Sequence, residues 1–129
     1  MEPRTILVVD DDPEVRAVLR ELLELEGYVV READGGLSAL IQVGRDLPDV
    51  VVLDLKLLDV SGFDVYRALR ADHDFRTLPI LFISGAYHDV EWIRRQVGTG
   101  PFAYLQKPID QDDLTRELRL ILAPPARAA

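Results

Sequence analysis

The sequence predicts an α/β fold in which five strand–helix units, (βα)5, build one doubly wound parallel sheet with the strand order 2-1-3-4-5. Short runs rich in β-branched residues alternate along the chain with helical patterns. Most of these runs are apolar nearly throughout, which is typical of strands buried on both faces of a parallel sheet. Strict alternation favours an open sheet over a sandwich or a helix bundle, and five units without a Gly-rich phosphate loop favour this strand order.

The predicted strands are short and regularly spaced, and a predicted helix follows each of them. The strands are expected at 5–9, 28–32, 50–53, 79–83 and 102–106. The helices are expected to begin just after Asp12 and to span about 35–45, 62–70, 88–97 and 111–122.

The first helix has the clearest limits. Asp12 is a suitable N-cap, Pro13 suits the first helical position, and Gly27 is a stop signal. Asp110 is a similar candidate cap for the last helix. The face of the first helix that is predicted to meet the core carries Val15, Val18, Leu19 and Leu22.

Composition narrows the class of protein. The 129 residues suffice for one domain, expected at 1–122, with 123–129 expected to be a disordered tail or a cut linker. A net charge of −8 argues against direct binding of nucleic acid or of an anionic membrane. The chain has no cysteine, which excludes disulfides and thiolate sites. It shows neither a signal peptide nor a membrane span, so a cytoplasmic location is expected.

Aspartates follow the two strands that flank the predicted reversal of winding. Asp10, Asp11 and Asp12 end the first strand, and Asp54 follows the third. Ligands of such sheets bind at this point, outside the carboxyl ends of the strands. Like charges about 4 Å apart repel by about 1 kcal/mol in water and roughly 4 kcal/mol at a protein surface. Hard carboxylate oxygens suit Mg²⁺ (or Mn²⁺), so Asp10, Asp11 and Asp54 are the candidate metal ligands, whereas Asp12 is assigned to capping.

Two more polar side chains are expected on the same rim of the sheet. Ser84 follows the fourth strand and Lys107 follows the fifth. A carboxylate nucleophile, a divalent cation, a hydroxyl and an ammonium around one point suit phosphoryl transfer. His73 and His88 have no second histidine at ligand spacing and are interpreted as surface residues.

Five stretches in order resemble the receiver domain of the two-component response regulators, over about residues 5–122. They are ILVVDDDP (6–13), ADGGLSAL (33–40), PDVVVLDLKLLDVSGFDV (48–65), LPILFISGA (78–86) and YLQKPI (104–109). The resemblance implies a flavodoxin-like fold and a phosphoacceptor role for a single residue, Asp54.

The resemblance also implies a role for each residue of the rim. Asp54 would accept a phosphoryl group from a phosphohistidine. The backbone carbonyl of Lys56 would join Asp10, Asp11 and Asp54 as metal ligands. Ser84 and Lys107 would contact the phosphoryl group, and Ser84 and Tyr104 would form the switch. The Lys107–Pro108 peptide bond is often cis in such domains, and Leu58 stands where relatives commonly place proline, which predicts a more mobile loop.

Partners follow from the same resemblance. The phosphoryl donor would be a sensor histidine kinase or a phosphotransfer protein. The output would pass to a downstream protein or to an output domain of the same protein. The face formed by the fourth helix, the fifth strand and the fifth helix is the expected partner surface, and a homodimer through it is possible.

Two alternatives stay open from the sequence. Asp10 and Asp12 have the Asp-x-Asp spacing of Mg²⁺-dependent phosphatases with an aspartyl nucleophile, although Pro13 and the short chain argue against such an enzyme. The chain could also be an interaction module that works without phosphorylation. The leading hypothesis treats it as a phosphoacceptor with at most slow self-dephosphorylation, and not as an enzyme.

Overall fold

A computed structural model describes residues 3–98 and 100–123. Most of the predicted tail or linker, 124–129, lies outside the described residues. The strands are β1 Thr5–Val9, β2 Val29–Ala33, β3 Val50–Asp54, β4 Ile80–Ser84 and β5 Phe102–Gln106. The helices are α1 Pro13–Leu25, α2 Gly36–Arg45, α3 Gly62–Ala71, α4 Val90–Val97 and α5 Gln111–Leu122, with one 3-10 turn at His73–Phe75.

The five strands form a single parallel sheet in the order β2-β1-β3-β4-β5. This confirms the predicted fold class and strand order. The winding reverses between β1 and β3, so the carboxyl ends of these two strands lie side by side at the reversal. Within the described residues, no helix is long and apolar enough to cross a membrane.

The core lies on both faces of the sheet because the strand side chains alternate between them. Leu7 and Val9 pack with α2, α3 and α4 on one face. Ile6 and Val8 pack with α1 and α5 on the other. All four side chains are completely buried. The strands are therefore held from both sides, and their ends provide a rigid rim for polar groups.

Side-chain caps fix the starts of α1, α3 and α5. The carboxylates of Asp12 and Asp110 accept hydrogen bonds from backbone N–H groups in the first turns of α1 and α5, which confirms both predicted caps. Ser61 and Asp64 form a complete capping box on α3. Each such cap stabilises a helix by about 1 kcal/mol.

The predicted core face of α1 is partly wrong. Leu19 and Leu23 are its buried residues, whereas Val18 is 56% exposed. Leu19 and Leu23 are four positions apart and share one face, and Val18 lies about 100° around the helix from Leu19. Packing against the sheet selects the Leu19–Leu23 face.

Candidate functional site

The strand register brings the aspartates together. Val9 of β1 is paired with Leu53 of β3, so the next residues, Asp10 and Asp54, lie level at the end of the sheet. In the same way Ser84 is paired with Gln106, which places Lys107 one position beyond Ser84. Four predicted residues from four strand ends therefore share one rim.

The three candidate metal ligands converge as predicted. One carboxylate oxygen from each of Asp10, Asp11 and Asp54 lies within 4.8 Å of the other two. Asp10 is completely buried and Asp54 is 4% exposed, whereas Asp11 is half-buried and borders the solvent. A set of three hard oxygen donors open to water on one side fits Mg²⁺ or Mn²⁺, which retain several water ligands.

Lys107 supplies a positive charge to this cluster. Its Nζ donates to Oδ2 of Asp10 at 2.8 Å and to Oδ2 of Asp54 at 3.3 Å. The Lys107–Pro108 peptide bond is cis. Two buried carboxylates are thus paired with one ammonium, which leaves negative charge over for a further cation.

The cluster shifts the pKa of two of its members. Burial and the neighbouring Asp10 carboxylate raise the pKa of Asp54, and the Lys107 ammonium opposes that rise. Burial alone would lower the pKa of Lys107, but its hydrogen bond to Asp10 and the charges of both carboxylates outweigh it, so this pKa is raised. Lys107 therefore stays charged, while Asp54 is a carboxylate whose ionisation the metal-free site disfavours.

Ser84 and Tyr104, the two candidate switch residues, contact the same residue. The Ser84 hydroxyl oxygen accepts from the Ala86 N–H at 3.1 Å, and the Tyr104 hydroxyl donates to the Ala86 carbonyl at 3.0 Å. Ser84 is buried and Tyr104 is half-buried. The segment after β4 therefore links the hydroxyl at the rim to the aromatic ring on β5.

Lys56 reaches the site through its main chain. Its N–H donates to Oδ1 of Asp54 at 3.3 Å, and the residue lines the same cleft as the three aspartates. Gly62 packs so closely against this segment that a Cβ there would lie 2.4 Å from the Asp54 carbonyl oxygen. The main chain that follows the candidate phosphoacceptor is therefore held tightly.

An open cleft of about 860 Å³ lies over these groups. Besides the predicted residues, Phe63 and His88 line it. His88 was predicted to be a surface residue; it is half-buried instead, stacked on Trp92 with ring centroids 5.0 Å apart and edge-on to Tyr104 at 6.2 Å. His73 is exposed, as predicted. The contact of His88 with Tyr104 joins segments 16 residues apart in sequence, so periodicity carries no sign of it.

Arg16 is a further site residue that sequence reasoning missed. Its guanidinium donates to the backbone carbonyl of Asp10 at 2.6 Å and to the Glu32 carboxylate at 3.0 Å. It thereby ties the main chain at Asp10 to β2. Its position four residues after the N-cap Asp12 was the available signal, since that places it on the first turns of α1, close to the end of β1.

Comparisons with known proteins agree with this geometry. The family model for the response regulator receiver domain matches residues 6–119. The response regulator MprA of Mycobacterium leprae is 39% identical over 117 residues, which are 91% of this chain and 50% of that protein. PilH of Pseudomonas aeruginosa is 30% identical over 92% of this chain and 97% of its own length. The chain thus spans about half the length of MprA but nearly all of PilH.

A solved structure shows the same architecture. The chemotaxis protein CheY4 of Vibrio cholerae matches with a TM-score of 0.84 and 25% identity, over 94% of this chain and 100% of that one. The receiver family generally comprises phosphoacceptor signalling domains and not enzymes in the usual sense. With its parallel sheet, its acidic rim and a family match over most of its length, the chain belongs to the response regulator receiver domains of two-component systems.

Proposed function

We propose that this receiver domain is a phosphoacceptor switch in which Asp54 takes a phosphoryl group from a phosphohistidine of a sensor histidine kinase or phosphotransfer protein. The observation that carries the proposal is the contact of the Lys107 ammonium with both Asp10 and Asp54, within a rim of three carboxylates. A buried acidic cluster with its own lysine is an arrangement for holding a phosphoryl group and a cation together.

The transfer needs little beyond positioning and charge. A carboxylate oxygen of Asp54 forms a bond to phosphorus as the phosphorus–nitrogen bond breaks, and the electron pair of that bond returns to the imidazole of the donor. The Lys107 ammonium neutralises charge on the equatorial oxygens, and the Ser84 hydroxyl donates to one of them. Asp54 must be ionised to attack, and the positive charge of Lys107 favours that form.

The candidate metal ligands are Asp10, Asp11, Asp54 and the backbone carbonyl of Lys56. When bound there, Mg²⁺ or Mn²⁺ would supply positive charge for the phosphoryl oxygens and would favour the ionised form of Asp54. The three carboxylates, Asp11 at the solvent side and the main chain of Lys56 in the cleft support this assignment.

The structure gives the phosphatase alternative no support. Asp12, the second acid of the Asp-x-Asp spacing, is exposed and its carboxylate accepts from the Glu14 N–H at 2.9 Å as the cap of α1. It is therefore occupied in holding a helix and is not directed at a substrate. We infer at most slow self-dephosphorylation.

The signal would leave through Ser84 and Tyr104. Movement of the Ser84 hydroxyl towards a phosphoryl group would compete with its bond to Ala86, and Ala86 also accepts from Tyr104. A change at the rim is thereby passed to the face formed by α4, β5 and α5. We infer that this face binds a downstream protein, an output domain or a second copy of the chain.

The remaining assignments are part of the same proposal. Residues 1–122 form the receiver domain, with 123–129 as a tail or linker. The location is cytoplasmic, since kinases make phosphohistidine from ATP. Direct contact with nucleic acid is not expected, because the net charge is −8.

The test is the intact mass of the protein after incubation with acetyl phosphate, with and without Mg²⁺, for the wild type and Asp54→Ala. We expect one Mg²⁺-dependent phosphoryl adduct on the wild type and none on Asp54→Ala. A matched control is Asp112→Ala, an exposed aspartate on α5, which should be labelled like the wild type. An unmodified wild type with every donor tried would refute the proposal in favour of an interaction module without phosphorylation.

A further inference from the structure

The segment between β3 and α3, residues 55–61, connects the candidate phosphoacceptor to its neighbouring helix, and we call it the β3–α3 loop. Its two ends are held by backbone contacts. The Gly62 N–H donates to the Leu55 carbonyl at 2.9 Å, and Lys56 pairs with Ser61 in an isolated antiparallel bridge. Leu57 is buried in the core, whereas Leu58 is 90% exposed. The tip of the loop therefore needs another contact to fix its position.

Asp59 provides that contact. Its carboxylate accepts from the Gly36 N–H and from the Leu37 N–H, both at 3.0 Å, at the start of α2. The N-cap position of α2 is Gly35, which has no side chain to accept from these groups. An acceptor 23 residues away in sequence therefore satisfies two N–H groups that a helix start leaves unpaired.

The surroundings of Asp59 fit a charged group at a helix start. The N–H groups of Leu37 and Gly36 lower the pKa of its carboxyl. The positive end of the helix dipole adds to this effect. Asp59 is thus an ionised residue whose carboxylate bridges two segments of the chain.

The two glycines at the start of α2 make room for the loop tip. A Cβ on Gly35 would lie 3.0 Å from Oδ2 of Asp59, and a Cβ on Gly36 would lie 2.3 Å from Cγ2 of Val60. Any side chain at Gly36 would push the loop away unless Val60 moved. The glycine pair and Asp59 together form a fitted contact between α2 and the β3–α3 loop.

We propose that Asp59 is a positioning residue for the metal and phosphoacceptor site, because its contact with α2 holds the β3–α3 loop and the Lys56 main chain in the arrangement that binds Mg²⁺. The inference rests on the proposed function of Asp54. Lys56 is the link, since its N–H already donates to Asp54 and its carbonyl is the proposed fourth ligand. When the contact is lost, the loop populates other arrangements, and the apparent Mg²⁺ affinity falls by the fraction of competent molecules.

A purely structural role for Asp59 makes a different prediction. If Asp59 only caps α2, its loss lowers stability but leaves the Mg²⁺ affinity of the folded protein unchanged. Asp72 offers a matched control, because its carboxylate caps the 3-10 turn at His73–Phe75 by accepting from the Asp74 N–H at 2.9 Å. Asp72 follows α3 at the other end of that helix from the β3–α3 loop.

The experiment compares the full chain as wild type, Asp59→Ala, Asp59→Asn and Asp72→Ala. The Mg²⁺ dissociation constant is measured by calorimetry, and amide hydrogen exchange is measured across residues 55–61. For Asp59→Ala we expect a Mg²⁺ dissociation constant about three- to tenfold higher, as follows if the competent fraction falls to between a third and a tenth. We expect faster exchange in the loop of the same variant. Asp59→Asn keeps one acceptor oxygen and should be intermediate, and Asp72→Ala should match the wild type in both measurements.

An unchanged Mg²⁺ dissociation constant in Asp59→Ala would overturn the inference and leave Asp59 as a cap only. Should Asp59→Ala fail to fold, the Mg²⁺ dissociation constant of Asp59→Asn is used instead. An unchanged value in that variant would likewise overturn the inference. Acetyl phosphate labelling separates the two proposals: a wild type that binds Mg²⁺ but takes no phosphoryl group refutes the proposed function without touching the Asp59 result. Normal labelling with an unchanged Mg²⁺ dissociation constant refutes only the role of Asp59.

Discussion

Asp54 is placed where its charge opposes folding. It is 4% exposed, and both burial and the Asp10 carboxylate raise its pKa. The folded chain therefore holds the Asp54 proton more tightly than an unfolded chain does. The proposed phosphoacceptor is in this way a source of instability, as is common at functional sites.

The replacement Asp54→Asn is expected to stabilise the metal-free protein at pH 7. Because the folded pKa lies above the unfolded value of 3.8, the contribution of Asp54 to stability falls as the pH rises through the window between them. The loss grows as the pH rises above 3.8 towards the raised folded pKa, and the neutral asparagine avoids it. Urea unfolding in EDTA at several pH values measures the difference, which should shrink as the pH approaches 3.8.

Asp112→Asn, on the exposed side of α5, is the matched control and should change stability by less than about 0.5 kcal/mol. A metal-free Asp54→Asn protein less stable than the wild type at pH 7 would contradict the electrostatic account.

Helices are positioned by the faces that they bury and by their ends. On α1 the buried pair is Leu19 and Leu23, and on α2 the start packs against Val60 and Val65. Each helix also carries a residue of similar type in the opposite environment: Val18 on α1 is exposed, and Gly44 on α2 has open space around it. A substitution at one residue of such a pair can therefore be compared with a substitution at the other residue on the same helix.

On α1 we expect Leu23→Ala to destabilise the protein by about 2–5 kcal/mol, because it leaves a cavity in a closed core. Val18→Ala removes a side chain that is 56% exposed and should cost less than about 1 kcal/mol. Denaturant unfolding of both variants measures these effects. Equal losses would show that Val18 lies in the core after all.

On α2 we expect Gly36→Ala and Gly44→Ala to act in opposite directions. A Cβ on Gly36 would lie 2.3 Å from Cγ2 of Val60 and 2.7 Å from Cγ2 of Val65, so the overpacked variant should lose about 1–3 kcal/mol. A Cβ on Gly44 meets nothing within 4 Å, and alanine favours a helix over glycine by about 1 kcal/mol. Thermal unfolding of both variants measures the two changes in stability. A Gly36→Ala protein more stable than the wild type would refute the close packing of α2 against the β3–α3 loop.

At the scale of the whole molecule, a cation bound at the rim would couple its binding to folding. The three carboxylates come from two strand ends that meet only in the folded sheet, so a cation that binds them stabilises the folded state. Repulsion among the neighbouring aspartates opposes folding. Lys107 offsets part of it, and a bound cation would offset more.

We expect saturating Mg²⁺ to raise the melting temperature of the wild type and EDTA to abolish the rise. At a concentration 100 times the dissociation constant the gain is about 2.7 kcal/mol, on the order of 10 °C for a domain of this size. Asp11→Ala removes the most exposed carboxylate of the cluster and should show a clearly smaller shift. A shift of the same size in Asp11→Ala would place the cation elsewhere.

Much of the fold could be predicted because its signals are local. Alternating apolar runs and helical patterns give the strands to within a residue or so, and parallel topology then follows from the order of the units. The rim residues Asp10, Asp54, Ser84 and Lys107 follow strands directly, so their convergence was predictable as soon as the strand order was.

The order of elements and the strand ends, and with them the residues that meet at the rim, could be predicted from the sequence alone. Helix packing was needed to show which face of α1 is buried, that His88 meets Tyr104 of β5, and that Asp59 caps α2 from a loop 23 residues away. The difference is one of range along the chain. A strand end or a local helix cap is encoded in neighbouring residues, whereas a contact between distant segments depends on how the helices pack on the sheet.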